Sequence, residues 1–152
     1  MGRRIAIDVG TKRIGVAVSD SHGILASPLT TLDAALDIPE IHSTLKGQIE
    51  GNILEIYVGL PIALSGNETN STQNAKNFAL ALKKVTDVPV LLIDERLTTS
   101  LANQQLKSVG KSQKEARSTI DQMAAVAILE YALAVEGNQG GIPGIRVEDY
   151  RD

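Results

Sequence analysis

Apolar positions along this chain follow two different periods, and the change from one to the other outlines its elements. Residues 4–8 and 13–19 are short β-branched runs separated by Gly10-Thr11-Lys12. That spacing predicts a tight antiparallel hairpin in which Gly10 takes the positive-φ position. A third run, 24–31, follows the polar turn Asp20-Ser21-His22-Gly23, and Pro28 within it points to an edge strand or to irregular pairing, because proline cannot donate to a ladder. From residue 38 the period changes: Ile38, Ile41, Leu45 and Ile49 recur three and four apart, as one face of a helix requires, before Gly51-Asn52 stops it.

Residues 53–60 form a nearly continuous apolar run, the pattern of a strand buried on both faces of a parallel sheet. After a polar loop over 61–69, Ala75, Phe78, Ala79, Leu82 and Val85 mark one side of a second helix, and 88–94 reads as the fifth strand. A further helical stretch is expected over 99–108, then a long alanine-rich helix over 113–135 with Met123, Val126, Ala127, Leu129 and Tyr131 available for packing. The order β-β-β-α-β-α-β-α predicts an α/β fold: a five-stranded mixed sheet with helices on both faces. Residues 1–136 are expected to form one domain and the Gly-rich, then acidic, segment 137–152 a mobile tail.

A length of 152 residues suits one domain with a real core. Cysteine and tryptophan are absent, and His22 and His42 do not make a ligand cluster, which excludes disulfide scaffolds and zinc sites and leaves oxygen as the donor for any metal. No signal-like run opens the sequence and no stretch approaches the ~20 apolar residues of a membrane span, so a cytoplasmic protein that avoids membranes is expected. A net charge of -3 argues against indiscriminate coating of nucleic acid. Positive charge is nevertheless clumped, at Arg3, Arg4, Lys12 and Arg13 and again at Lys107, Lys111, Lys114 and Arg117. Each clump fits either solvated surface or a phosphate track.

Three acids stand out. Asp8 closes the first strand, with Gly10 allowing a sharp turn that leaves the carboxylate at the strand's carboxyl end, where open α/β sheets bind ligands. Alternation puts Leu91, Ile93 and Glu95 on one face of the fifth strand and Asp94 on the other. Asp121 shares an inward stripe of the long helix with Ala125 and Ile128, where an uncompensated charge is costly. Gathered together, three carboxylates repel one another, and a divalent cation such as Mg²⁺ reverses that penalty while leaving room for substrate phosphate. The plainer readings are a strand-end acid for Asp8, an ion pair with Arg96 or another surface cation for Glu95 and a helix cap for Asp121.

Around the acids, Thr11, Lys12, Arg13, Arg96, Thr98, Lys111, Lys114 and Arg117 are the candidate substrate contacts. Lys111, Lys114 and Arg117 would share one helical face that precedes Asp121. Thr98, Thr99 and Ser100 fit phosphate contact or a cap on the next helix, the capping role being the more common one. The loop with Gly66, Asn67 and Glu68 lies on the same sheet edge and fits a positioning role or a plain connection.

Four motifs in order, Asp8-Val-Gly-Thr-Lys-Arg-Ile-Gly-Val-Ala, Val58-Gly-Leu-Pro, Asp94-Glu-Arg-Leu-Thr-Thr and Ile120-Asp-Gln-Met-Ala-Ala-Val-Ala-Ile-Leu, resemble the YqgF or RuvX family of bacterial RuvC-like nucleases. The resemblance implies the RNase H-like fold, Asp8, Glu95 and Asp121 as catalytic acids, Mg²⁺ or Mn²⁺ as cofactor, and hydrolysis in 5′-end maturation of pre-16S ribosomal RNA. As an alternative it admits branched DNA as substrate, and a monomer or a homodimer, since RuvC is a dimeric Holliday-junction resolvase. One departure is that the last motif carries a single acid, Asp121, where RuvC-like resolvases often present two. Two other classes remain in view. The Asp8-x-Gly-Thr start resembles the phosphate motif of actin-like and sugar-kinase proteins, which need two such domains. A non-catalytic RNA-binding or ribosome-assembly factor would use the basic clumps alone, but Phe78, Tyr57, Tyr131 and Tyr150 are too scattered for a base-stacking platform.

Overall fold

The computed structural model describes residues 2–98 and 113–150, with side chains of the last helix described from 120 to 137. Strands β1 (Arg3–Val9), β2 (Arg13–Ser19) and β3 (Ala26–Asp33) are followed by α1 (Ile38–Gln48), β4 (Ile53–Leu60), α2 (Asn70–Lys83), β5 (Val90–Asp94), α3 (Gln113–Gln139) and β6 (Ile145–Arg146). Short 3₁₀ turns cover Glu95–Leu97 and Val147–Asp149. The helix expected over 99–108, with Thr99, Ser100 and Lys107, lies outside the described residues, as does Lys111.

The sheet runs β3-β2-β1-β4-β5-β6, with β1, β4 and β5 parallel and the other pairings antiparallel. Pro28 sits on the outer strand, where its missing N–H costs nothing, and the ladder slips register between Val16 and Ala17 opposite it. Strand alternation sorts the core into two layers. Ile5, Ile7, Val16, Ile56, Val58 and Leu92 face α1 and α2, while Ala6, Ala17, Tyr57, Leu91 and Ile93 face Ala125, Ile128, Leu129 and Ala132 of α3. Small residues on the α3 side of β1 and β2 let the helix lie close to the sheet.

Local signals set the helix starts. Asp37 caps α1 by accepting from the Glu40 amide at 2.9 Å, and Thr69 and Thr72 cap α2 reciprocally. The positive-φ glycines among the described residues are Gly23, Gly51, Gly66, Gly140 and Gly144, so the hairpin expectation for Gly10 is corrected. Gly10 is needed for proximity: its N–H donates to the Arg13 carbonyl at 2.9 Å, and a Cβ there would stand 2.4 Å from that oxygen.

The expected five strands become six, and the segment set apart as a tail is tied into the sheet. The long helix continues to Gln139, beyond the expected 135. Ile145 and Arg146 then pair with Leu92 and Leu91, and Val147 is buried in the α1–α2 layer. Gly144, at φ +74, passes so close to the Leu92 carbonyl that no Cβ would fit. Tyr150 donates to Glu68 at 3.2 Å and lies under the Lys76 ammonium, 4.9 Å from its ring centre. The low hydrophobicity of 137–152 concealed this because three anchors, Val147, Gly144 and Tyr150, carry the contact. Among the described residues no helix is long and apolar enough to cross a membrane.

Candidate functional site

Two glycines in the sheet bring three acids together. Asp8 is paired across the hairpin with Gly15, and a Cβ on Gly15 would stand 2.1 Å from the Asp121 carbonyl oxygen. The backbone of α3 therefore rests directly on β2 at this point, which holds Asp121 over the end of β1. On the other side, Gly59 follows Val58, the partner of Ile7, and a Cβ there would meet Ile128 Cδ1 at 2.5 Å and Glu95 Cγ and Cδ at 3.1 Å. The space above Gly59 is where the Glu95 side chain lies. Glycine inside an apolar strand signals such an approach, and neither Gly15 nor Gly59 was singled out for it from the sequence.

Asp8 and Glu95 are within hydrogen-bonding reach of each other, and Asp121 is close enough to act on Asp8 through its charge. Burial, then the Asp121 charge, raises the Asp8 carboxyl to about 6. Burial, then the Asp8 charge and the shared hydrogen bond, raises Glu95 to about 8. The two carboxyls thus behave as a unit that retains a proton near neutrality. Glu95 sits just past β5, on the 3₁₀ turn, which Thr98 closes by donating from its hydroxyl to the Glu95 carbonyl at 2.8 Å. This bond ends the preceding turn; the helix that Thr98 was expected to cap lies outside the described residues.

Arg96 pairs with Asp94, not Glu95: Nη2 is 2.7 Å and Nε 3.0 Å from Asp94 Oδ2. Asp94 also accepts from the Arg96 amide, so the pair orients an exposed guanidinium beside the acids. Pro61, Ile62, Leu64, Glu95, Arg96 and Thr98 line an open cleft of ≈ 400 Å³. A more enclosed, largely apolar cavity of ≈ 220 Å³ lies behind Asp94, under Tyr131 and Tyr150, away from Asp8.

Arg13 Nε stands 2.8 Å from Asp121 Oδ2, so a residue expected to meet substrate is here paired with one expected to hold metal. Thr11 and Lys12 are exposed at the adjacent hairpin turn. The basic clump read from the N-terminal sequence is divided by the sheet. Lys12 and Arg13 lie at the acid end of β1 and β2, while Arg3 donates to the Ser19 and Glu50 carbonyls and Arg4 pairs with Glu136 at 2.7 Å at the opposite end. Lys114 and Arg117 fall on α3, where their side chains lie outside the described residues.

The donor set suits a hard divalent cation: carboxylate oxygens, those of Asp8 and Glu95 half-buried and drawn to protons by desolvation and by neighbouring negative charge. Among the described residues no three His, Cys, Asp or Glu side chains already form an ion cage. Asp8 and Glu95 make the close pair and Asp121 is held by Arg13.

The model of the family described as "RuvX: Holliday junction resolvase" matches residues 2–135. A protein of Streptomyces avermitilis is 46% identical over 149 residues, covering 97% of this chain and 95% of its own, and one of Clavibacter michiganensis subsp. michiganensis is 43% identical over 149 residues, covering 97% and 92%. Both carry the name "Putative pre-16S rRNA nuclease". Among solved structures, T. thermophilus RuvC in complex with a Holliday junction substrate aligns over 90% of this chain and 96% of its own, with a TM-score of 0.54 at 14% identity. At that identity the likeness is one of fold, and it gives the expected RNase H-like architecture.

Proposed function

The chain belongs to the RuvX family, and from that premise we propose that it is a metal-dependent nuclease whose Asp8, Glu95 and Asp121 hold Mg²⁺ or Mn²⁺ against a nucleic-acid phosphodiester. The observation that carries this reading is the convergence of those three acids, from two strand ends and a helix, over Gly15 and Gly59. Bound there, such an ion supplies Lewis acidity toward the phosphate. Displacing the proton held by Asp8 and Glu95 is the chain's own part in binding it, so ion affinity rises with pH. Arg96, oriented by Asp94, and Lys12 at the hairpin turn are the side chains that meet the phosphate backbone. Thr11 and, on the long helix, Lys114 and Arg117 extend that track, with Lys111 ahead of them in the sequence.

The substrate we assign is the 5′ region of pre-16S ribosomal RNA, in the cytoplasm, which the names of relatives above 40% identity over nearly the whole chain support. A second reading, cleavage of branched DNA, is supported by the family description and the RuvC fold. The single acid of the last motif, Asp121, weighs against it. Purified protein assayed on a pre-rRNA 5′ leader and on a four-way DNA junction, with and without Mg²⁺ or Mn²⁺, separates the two. Ion-dependent cutting of the leader, lost in Asp8→Asn while RNA binding is retained, is the expected result. Unchanged cutting by Asp8→Asn would remove the acids from the reaction and leave an RNA-binding factor as the better description.

A further inference from the structure

The contact between Arg13 and Asp121 joins the two halves of the site, and its geometry is asymmetric. Asp121 is carried on a short side chain by a helix backbone packed closely against Gly15, so its carboxylate has a short reach. Arg13 has its backbone fixed by the hairpin bond from Gly10, but its long side chain is 36% exposed against 21% for Asp121. If the pair opens, the guanidinium is the part that moves. The pair is also not required to dock this turn of α3, since Gln122 next door donates to the Thr31 hydroxyl at 2.9 Å and already ties the helix to β3.

We propose that Arg13 and a divalent cation compete for the Asp121 carboxylate, so that ion entry transfers the guanidinium from Asp121 to a substrate phosphate. The inference rests on the reading of Asp121 as an ion ligand. A cation arriving beside Asp121 repels the guanidinium and takes its acceptor oxygen, while a planar guanidinium is among the best ligands for a phosphate. Arg13 is then a positioning residue that makes ion and nucleic acid bind cooperatively, each favouring the other by the same factor.

The test is calorimetric titration of Mn²⁺ into the full chain and its variants. Arg13→Gln should bind Mn²⁺ about fivefold or more tightly than the parent. The gain should be absent in an Asp121→Asn background, because a specific competition vanishes with its target whereas a bulk-charge effect persists. A gain that survives Asp121→Asn overturns the proposal. At saturating Mn²⁺ a cleavage-resistant phosphorothioate oligoribonucleotide should bind Arg13→Gln about fivefold or more weakly, and without Mn²⁺ the two proteins should bind it alike. A loss of equal size in both conditions rejects the handover. In the unsubstituted protein the Arg13 Nε–H resonance should shift as Mn²⁺'s diamagnetic substitute Mg²⁺ is added, and a signal that stays fixed at saturation is equally fatal. If neither Asp8→Asn nor Asp121→Asn weakens Mn²⁺ binding, the acid-site reading itself fails. If both weaken it and Arg13→Gln is silent, only the competition does.

Discussion

Replacing Gly15 by alanine adds one methyl group where the structure has the least room for it. The new Cβ would lie 2.1 Å from the Asp121 carbonyl oxygen and 2.4 Å from its carbon, against 3.4–4 Å for ordinary contact, and both are helix backbone atoms that cannot rotate away. Relief needs a displacement of roughly 1 Å between α3 and β2. Overpacking of this kind costs about 1–3 kcal/mol, which for a chain of this size lowers Tm by about 2–12 °C. The catalytic effect should be larger, because Asp121 is carried by the atoms that must move. A misplacement of ~1 Å in a reacting constellation is worth about 10²-fold in rate. Gly15→Ala is therefore expected to remain folded, to retain RNA affinity within a few fold, and to lose about two orders of magnitude in single-turnover cleavage at saturating Mn²⁺. Gly47→Ala is the matched control: that Cβ would meet nothing within 4 Å, in the last turns of α1, and should leave turnover unchanged while stabilising by about 0.5–1 kcal/mol. Wild-type turnover and Tm in Gly15→Ala would mean that α3 does not rest on β2 at Asp121.

Three further outcomes follow from the geometry. Asp8 and Glu95 hold their protons more tightly folded than unfolded, so their stabilising contribution is complete below the ordinary carboxylate range and is lost as pH rises through about 6 and then about 8. In EDTA, Tm should therefore fall across that interval, less steeply in Glu95→Gln, and Mg²⁺ should restore it at the alkaline end; parallel profiles for the two proteins would refute the coupling. Val147→Ala should destabilise by about 1–2 kcal/mol in urea titrations, because Val147 is 4% exposed within the main layer, and a silent substitution would argue against its docking. Asp37→Ala removes the cap of α1 and should cost about 1 kcal/mol with no change in cleavage, which a measurable loss of turnover would contradict.

The sheet was legible because its strands are marked twice, by apolar runs and by the turns between them; Pro28 pointed to an edge or to irregular pairing, and β3 shows both. Asp8 could be found because a glycine-bounded strand end advertises an exposed carboxylate. Glu95 was reached by alternation along β5, although the residue belongs to the turn beyond it. Contacts between distant segments were not legible. Arg13 and Asp121 meet across 108 positions, and Asp94 takes the arginine that proximity in sequence offered to Glu95 as readily. Gly10 was assigned to handedness when crowding by the Arg13 carbonyl is the cause. The last strand was missed because a two-residue pairing carries no periodicity at all.

That brief last strand has a consequence for how the protein is made. β5 is an apolar strand whose outer hydrogen-bonding groups are satisfied by residues about fifty positions later. At synthesis rates of about 5–20 residues per second, the nascent β5 waits some 3–10 s before its partner emerges. During that interval it is a template on which a neighbouring ribosome's product can add. Slow codons or stalling after α3 would therefore lengthen the time at risk, and chaperone demand should concentrate there instead of on the hairpin that is complete at the outset.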